Sequence, residues 1–323
     1  MKAVLFDQPG QPDVLYVGDI PDPIPAPDEL LIRVHATALN RADLLQRGGA
    51  YPPPPGASPI LGLEIAGEVE QAADGFQRGD RVMGVVTGGA YAERCTLPVG
   101  MAMRIPDRLT YTEAAAIPEA FLTAYLNLFT FGRLQAGESV LIHAGASGVG
   151  TAAIQLAKAI GARVFVTAGS DEKLALCHQL GADELINYKT ESFRERIKSA
   201  DHGRGVDVIL DFIGEPYWND NLACLARGGR LLLIGSMGGK TDGLAIAPIM
   251  FKNLTVTGTT LRATPLTEKT RLTAEFSAFA LERITRGELR PVIDRVFPMA
   301  EVVNAHRYMH TNANMGKIIL TIE

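Results

Sequence analysis

The chain has 323 residues, 47% of them hydrophobic and 21% charged, with a formal net charge of −5. That balance belongs to globular chains rather than disordered or fibrous ones, and with no clustered run of Lys and Arg it speaks against a nucleic-acid partner. The length exceeds what one core usually fills, so two domains are expected. Cys95, Cys177 and Cys224 are scattered and odd in number, which suits a reducing compartment rather than a disulfide framework.

At the N-terminus, MKAVLFDQPG has too short an apolar run before Asp7 for a secretory signal, so a cytoplasmic location is expected. Residues 1 to about 118 are rich in Pro and Gly and carry short strand-like runs such as ELLIRVHATAL, EIAGEVEQA, DRVMGVV and AYAERCTLP, an all-β pattern. The long apolar stretch AAAIPEAFLTAYLNLFTF is interrupted by Pro118, Glu119 and Asn127, each costly in a bilayer. It predicts a buried helix after Pro118 and no membrane span.

From about 120, the apolar runs SVLIHAG, ARVFVTAG, DELINY, VDVILDFIG, GRLLLIGS and LTVTGTT alternate with helical segments, as parallel strands covered on both faces do. After about 263 come an amphipathic helix with Gly287 as its stop, the run PVIDRVFPM, a helix through AEVVNAHRYMH and a last strand, KIILTIE. The returning strands predict that the C-terminal segment completes the first domain. The organisation is therefore 1–119 with 264–323 as one domain and 120–263 as the other, with ligand expected in the crevice between them.

In GASGVG, Gly145, Gly148 and Gly150 form a GxxGxG variant of the dinucleotide turn, preceded by an apolar strand and followed by an alanine-rich helix ending at Gly161. Glycines there let backbone approach a pyrophosphate, which the helix N-terminus attracts. The second strand of such a unit usually ends in an acid that grips the ribose of NAD and repels a 2′-phosphate. Here it ends in Gly169 and Ser170, with Lys173 and Tyr188 nearby, although Asp171 and Glu172 adjoin. An ammonium, hydroxyls and a backbone N–H around a phosphate predict NADPH as the cofactor.

These stretches, with ALNRADLLQRGGAYPPPPG (38–56), ILGLEIAGEV (60–69), AAAIPEAFLTAY (114–125), GADELINY (181–188) and NANMGKIIL (312–320), resemble the zinc-free quinone oxidoreductase branch of the medium-chain dehydrogenase/reductase superfamily over essentially the whole chain. The resemblance implies an α/β protein with a GroES-like distorted β-barrel catalytic domain, a Rossmann domain with a doubly wound parallel sheet, and a homodimer paired through the Rossmann sheets. It implies NADPH contacts at Asn40, Thr123, Gly145, Ser147, Gly148, Val149, Gly169, Ser170, Lys173, Tyr188, Phe212, Gly235, Ser236, Leu261, Asn314 and Lys317, and catalytic relevance for Tyr51, Asn40 and Ser147. Where zinc relatives carry ligands, this chain reads Asn40 with Arg41 and Gly62, Leu63, Glu64, so no catalytic metal is expected. His306 and His310 are spaced as two ligands would be, but Arg307 stands where a zinc protease has its glutamate, which favours a polar helix face.

A quinone needs a hydride or its electrons, and water supplies protons, so alignment of nicotinamide with the acceptor suffices without a polar constellation. Tyr51 either donates a hydrogen bond to the acceptor carbonyl, with Asn40 and the cofactor ribose, or packs a rigid loop wall beside four prolines. Ser147 contacts phosphate or positions the turn rather than moving a proton. Two other functions fit the same residues: an NADPH-dependent enoyl or alkenal reductase acting on C=C bonds, and a non-catalytic NADPH-binding sensor.

Overall fold

The computed structural model describes residues 1–200 and 202–322, which form two compact units, Met1–Leu122 with Arg262–Glu323 and Thr123–Leu261. The breaks expected from the sequence, at 119/120 and 263/264, lie a few residues from these.

In the first unit a strand pair, β1 (Lys2–Leu5) and β2 (Tyr16–Asp19), precedes the long strand β3 (Glu29–Ala38) and helix α1 (Arg41–Arg47). There follow β4 (Glu64–Gln71), β5 (Arg81–Val85), β6 (Arg94–Pro98), β7 (Met103–Arg104), the helix α2 (Tyr111–Ala114) and the start of α3 (Pro118–Tyr125), whose last residues belong to the second unit. Inward positions of β3, among them Leu30, Ile32, Val34 and Ala36, are buried, as a strand with one core face requires. β3 pairs with β4 on one edge, and on the other with β6 over residues 29–33 and with β15 over 36–38. Its register with β4 shifts between Leu31 and Ile32 and again between Val34 and Ala36. Such bulges bend a strand and let one sheet curl.

The second unit carries β8 (Ser139–Ile142), α4 (Gly148–Ala159), β9 (Arg163–Ala168), α5 (Asp171–Gln179), β10 (Glu184–Asn187), α6 (Phe193–Ala200), β11 (Val206–Asp211), α7 (Trp218–Cys224), β12 (Leu225–Leu233), α8 (Ala247–Lys252) and β13 (Thr255–Gly258). The strands form one parallel sheet in the order β10-β9-β8-β11-β12-β13. Counted within the unit this is 3-2-1-4-5-6, the doubly wound order. Both faces of the central strands are covered, and Leu141, Phe165, Ile186, Ile209 and Leu231 form the core.

The remaining elements, α9 (Leu266–Arg286), β14 (Ile293–Pro298), α10 (Val302–His310) and β15 (Lys317–Thr321), return to the first unit, where β14 and β15 extend its sheet beside β3. Gly287 ends α9 in the left-handed region, at φ 77°, a conformation glycine adopts without a Cβ penalty.

The apolar helix expected after Pro118 is long enough to cross a membrane when α2 is included, but 72% of its most apolar window is buried in the protein. It continues past Tyr125 as a π-helix, Leu126–Phe131. The cause is Asn127, whose Nδ2 donates to the Thr123 carbonyl at 2.8 Å while its own carbonyl accepts from Gly132 N at 2.8 Å. A side-chain donor competing for a helix carbonyl widens the turn.

Candidate functional site

The turn between β8 and α4 is built for close approach. A Cβ on Gly150 would lie 2.5 Å from the Ala144 carbonyl and 2.6 Å from that of Gly145, and one on Gly145 would lie 2.9 Å from Cβ of Val166. Ser147 caps α4, its Oγ accepting from Gly150 N at 3.1 Å. That role makes it a turn-positioning residue. The leading N–H groups of α4, at Gly148 and Val149, precede the helical ladder and have no partner within it, and the helix dipole adds positive potential there. The turn therefore fits a pyrophosphate.

At the end of β9, a Cβ on Gly169 would lie 2.5 Å from Oη of Tyr188, so this half-exposed tyrosine lies across the glycine. Ser170 caps α5, its Oγ accepting from Lys173 N at 3.3 Å. Asp171 is drawn aside: its Oδ1 accepts from Asn187 Nδ2 at 3.0 Å. A further cation stands at this point. Cε of Lys189 lies 3.3 Å from the same Gly169 Cβ position, and the sequence reading missed it because the signal is only adjacency to Tyr188 across a sheet register. Ser170, Tyr188 and Lys189 thus stand at a strand end that lacks the usual acid, with Lys173 in the helix turn that follows, which suits a phosphate monoester.

Beneath both turns lies a buried polar chain. Asp211 accepts from Ile213 N at 2.7 Å, Gly214 N at 3.1 Å and Asn221 Nδ2 at 3.0 Å. Asn221 Oδ1 therefore faces His143 Nε2 at 2.8 Å, and His143 Nδ1 meets Thr167 Oγ1 at 2.9 Å. With the Asn221 amide committed to Asp211, His143 must donate from Nε2 and accept at Nδ1. Thr167 in turn accepts Gly145 N at 2.9 Å through its carbonyl, so the chain holds the glycine turn in place. Burial pushes the His143 imidazole down to about 4 and the Asp211 carboxyl up to about 6. Nitrogen-15 NMR should show His143 as the neutral Nε2–H form from pH 8 down to roughly pH 5; a titration near pH 6.5 would refute the tautomer and its burial.

Over the ends of β11, β12 and β13 opens a groove of about 520 Å³ lined by Gly214, Trp218, Gly235, Ser236, Thr259 and Thr260 among others. Gly235 and Ser236 are expected cofactor contacts. Phe212 and Leu261 are buried next to it in sequence, and Thr123 begins the unit.

In the first unit, Lys317 and Glu64 form a buried ion pair at 2.7 Å, 5% and 0% exposed. The Lys317 ammonium also donates to Asn40 Oδ1 at 2.7 Å and to the Leu39 carbonyl at 3.0 Å. Asn40 Nδ2 donates to Glu64 Oε1 at 2.8 Å, and Glu64 Oε2 accepts Glu119 N at 2.8 Å. All three Lys317 donors are used within the protein, so its side chain positions Asn40 rather than reaching toward a cofactor. Asn40 and Glu64, which stand where the sequence resemblance sets zinc relatives' ligands, thus meet at this ammonium. Among the described residues no three His, Cys, Asp or Glu side chains converge as a ligand set. His306 is buried with Nδ1 3.0 Å from Arg47, whereas His310 is exposed, so the two do not form a site. Asn314 is half-buried and donates to the Gly316 carbonyl at 2.9 Å.

Tyr51 is expected either to donate to an acceptor carbonyl with help from Asn40 and the cofactor ribose or to pack a loop wall. The Asn40 amide is committed to Glu64, Ala38 and Lys317, and the group against Tyr51 is Arg262, whose Cζ lies 5.4 Å from the ring centroid. No spacing in the sequence joins these two. Burial raises the Tyr51 phenol above its ordinary range, which keeps it a donor at neutral pH.

An alcohol dehydrogenase GroES-like domain model matches residues 26–107 and a zinc-binding dehydrogenase model matches 148–281. The quinone oxidoreductase of Rattus norvegicus is 33% identical over 330 residues, spanning all of this chain and 98% of the relative. Among solved structures, Escherichia coli quinone oxidoreductase complexed with NADPH is 29% identical with a TM-score of 0.90, covering 99% of this chain and 100% of that one. CurK enoyl reductase is likewise 29% identical, with a TM-score of 0.87 over 100% of this chain and 99% of that one. With a curled β-unit completed by the chain's end, a doubly wound sheet carrying a glycine turn, and a full-length relative at this identity, the chain belongs to the quinone oxidoreductase-like branch of the medium-chain dehydrogenase/reductase superfamily.

Proposed function

We propose that the protein is a cytoplasmic NADPH-dependent reductase of quinones that works without metal. The observation that carries the cofactor choice is the end of β9, where Gly169 and Ser170 replace the usual acid, Tyr188 and Lys189 lie against Gly169, and Lys173 sits in the first turn of α5. The relative from E. coli, solved with NADPH, supports it. When bound, the nicotinamide supplies a hydride to a conjugated acceptor.

The protein's own residues hold and orient. Gly148 and Val149 N–H groups take the pyrophosphate, with Gly145 and Gly150 allowing the approach and Ser147 fixing the turn. Ser170, Lys173, Tyr188 and Lys189 take the 2′-phosphate. Thr123, Phe212, Gly235, Ser236 and Leu261 guide the nicotinamide end. In the first unit Asn40 and Asn314 are kept as cofactor contacts, with Lys317 holding Asn40 in place. Tyr51 donates to the acceptor carbonyl.

A homodimer is part of this reading. β13 is an outer strand of its sheet, and Ile246, Met250 and Phe251 beside it are 67%, 69% and 75% exposed. An unpaired edge with apolar flanks suits pairing with a second copy.

The test is oxidation of NADPH and NADH in parallel with ortho- and para-quinones and one enone, with and without oxygen. NADPH-selective quinone turnover is expected, and Tyr51→Phe should lower kcat/KM about tenfold, the value of roughly one hydrogen bond. Full kcat/KM in Tyr51→Phe would end the donor role. A second reading, reduction of a polarised C=C bond, is favoured by the likeness to CurK enoyl reductase; turnover of the enone alone would select it. Tight NADPH binding with no turnover would select a sensor.

A further inference from the structure

Arg262 is 5% exposed, and within the first unit only its Nε is tied down, donating to the Thr87 carbonyl at 2.9 Å. Nη1 and Nη2 are closed to solvent and have no hydrogen-bond partner. A buried donor left unmatched costs about 1–3 kcal/mol, more when charged, and such groups in a folded protein point to a ligand or a catalytic task. The guanidinium lies over the ring of Tyr51, the residue already placed against the acceptor. A second buried cation, Lys269, is 5% exposed and close enough for the two positive charges to disfavour one another, with Glu119 acting on both. The surroundings of Arg262 therefore carry positive charge and two unmatched donors.

We infer that the Nη donors of Arg262 bind the carbonyl oxygen of the acceptor and hold the negative charge that forms there, which makes Arg262 a further catalytic residue; the inference deepens the reductase reading above. Addition of a hydride to a quinone or enone forms one new bond to hydrogen. The displaced electron pair ends on the remaining carbonyl oxygen, as a phenolate or enolate, and that oxygen then takes one proton from water. The guanidinium keeps its protons throughout and supplies preorganised donors where charge develops. Its planar fork meets one oxygen with two N–H groups, which an ammonium does not reproduce. The Tyr51 ring beside the guanidinium is only half-buried, and on this inference it yields to let an acceptor oxygen reach the donors. The acceptor class follows: compounds whose carbonyl oxygen becomes an oxyanion on reduction.

The experiment titrates 4-nitrophenol into the cofactor-free full chain and follows phenolate absorbance against pH. The wild-type protein is expected to bind the phenolate and lower the apparent pKa of the bound phenol. In Arg262→Gln, checked for native circular dichroism, phenolate binding should fall at least about tenfold, and the shift should vanish. Arg262→Lys should restore part of both. In parallel, kcat/KM for quinones should fall about 10²–10³-fold in Arg262→Gln. Absence of nitrophenolate binding by the wild type, or equal binding by Arg262→Gln, overturns the assignment and leaves the donors a role in the fold alone. Arg262-dependent phenolate binding in a protein that reduces neither quinones nor enones keeps the oxyanion site and removes the reductase reading, so the two fail separately.

Discussion

Replacing Gly169 with aspartate is expected to turn coenzyme preference from NADPH toward NADH. The new Cβ would meet Tyr188 Oη at 2.5 Å, but that atom ends a half-exposed side chain that swings aside, whereas no backbone atom is among the near contacts. The turn therefore survives the change. The carboxylate would then stand beside Ser170 and Lys189, where it repels a 2′-phosphate and offers an acceptor to a free ribose hydroxyl. Charged hydrogen bonds contribute about 1.5–3 kcal/mol each. Losing one and adding repulsion should reduce the NADPH to NADH affinity ratio by about 100-fold. Lys173→Ala and Lys189→Ala should each lower NADPH affinity about tenfold and leave NADH affinity as it is. Fluorescence titration of both coenzymes reads these ratios, and an unchanged ratio in Gly169→Asp would remove the phosphate pocket from the end of β9.

The largest loss of stability is expected from Lys317→Met. Glu64 is fully buried, and the Lys317 ammonium at 2.7 Å is the cation that compensates it. Removing one partner of such a pair costs about 3–5 kcal/mol, because the other charge stays buried and unmatched. Removing both is far less costly. Lys317→Met combined with Glu64→Gln keeps an amide oxygen for Glu119 N and leaves no net charge, so it should recover most of the loss. Urea denaturation followed by circular dichroism measures the series. A single variant that loses less than about 1 kcal/mol would mean that water reaches the pair and that it behaves like a surface ion pair. A double variant as poor as the single would mean that the Asn40 and Leu39 hydrogen bonds, not the charge, hold this region.

The division of the chain was legible because each part repeats one local rule. Apolar runs of strand length separated by helical segments require parallel pairing with both faces covered, and the sheet order follows from short right-handed crossovers. The GxxGxG turn was legible because only glycines let backbone atoms pass as closely as those at Gly145 and Gly150. Gly287 could be read as the stop of α9 for a similar reason. The return of the C-terminal strands was inferred from their being left over; their places beside β3 depend on a register that no local pattern encodes.

What stayed hidden are contacts between residues far apart in sequence. Lys317 meets Glu64 across 253 positions and Arg262 meets Thr87 across 175. The sequence by itself determined the two fold classes, the nucleotide turn and the missing acid at Gly169, since each follows from residue type at short spacing. Only the tertiary structure decided that Asn40 is locked to Lys317 and Glu64, that Lys189 joins Tyr188 at the end of β9, and that Arg262 stacks on Tyr51 with two donors unmatched. Those facts depend on which side chains the packed core brings together, and a buried charge acquires its meaning from partners that the linear order does not place beside it.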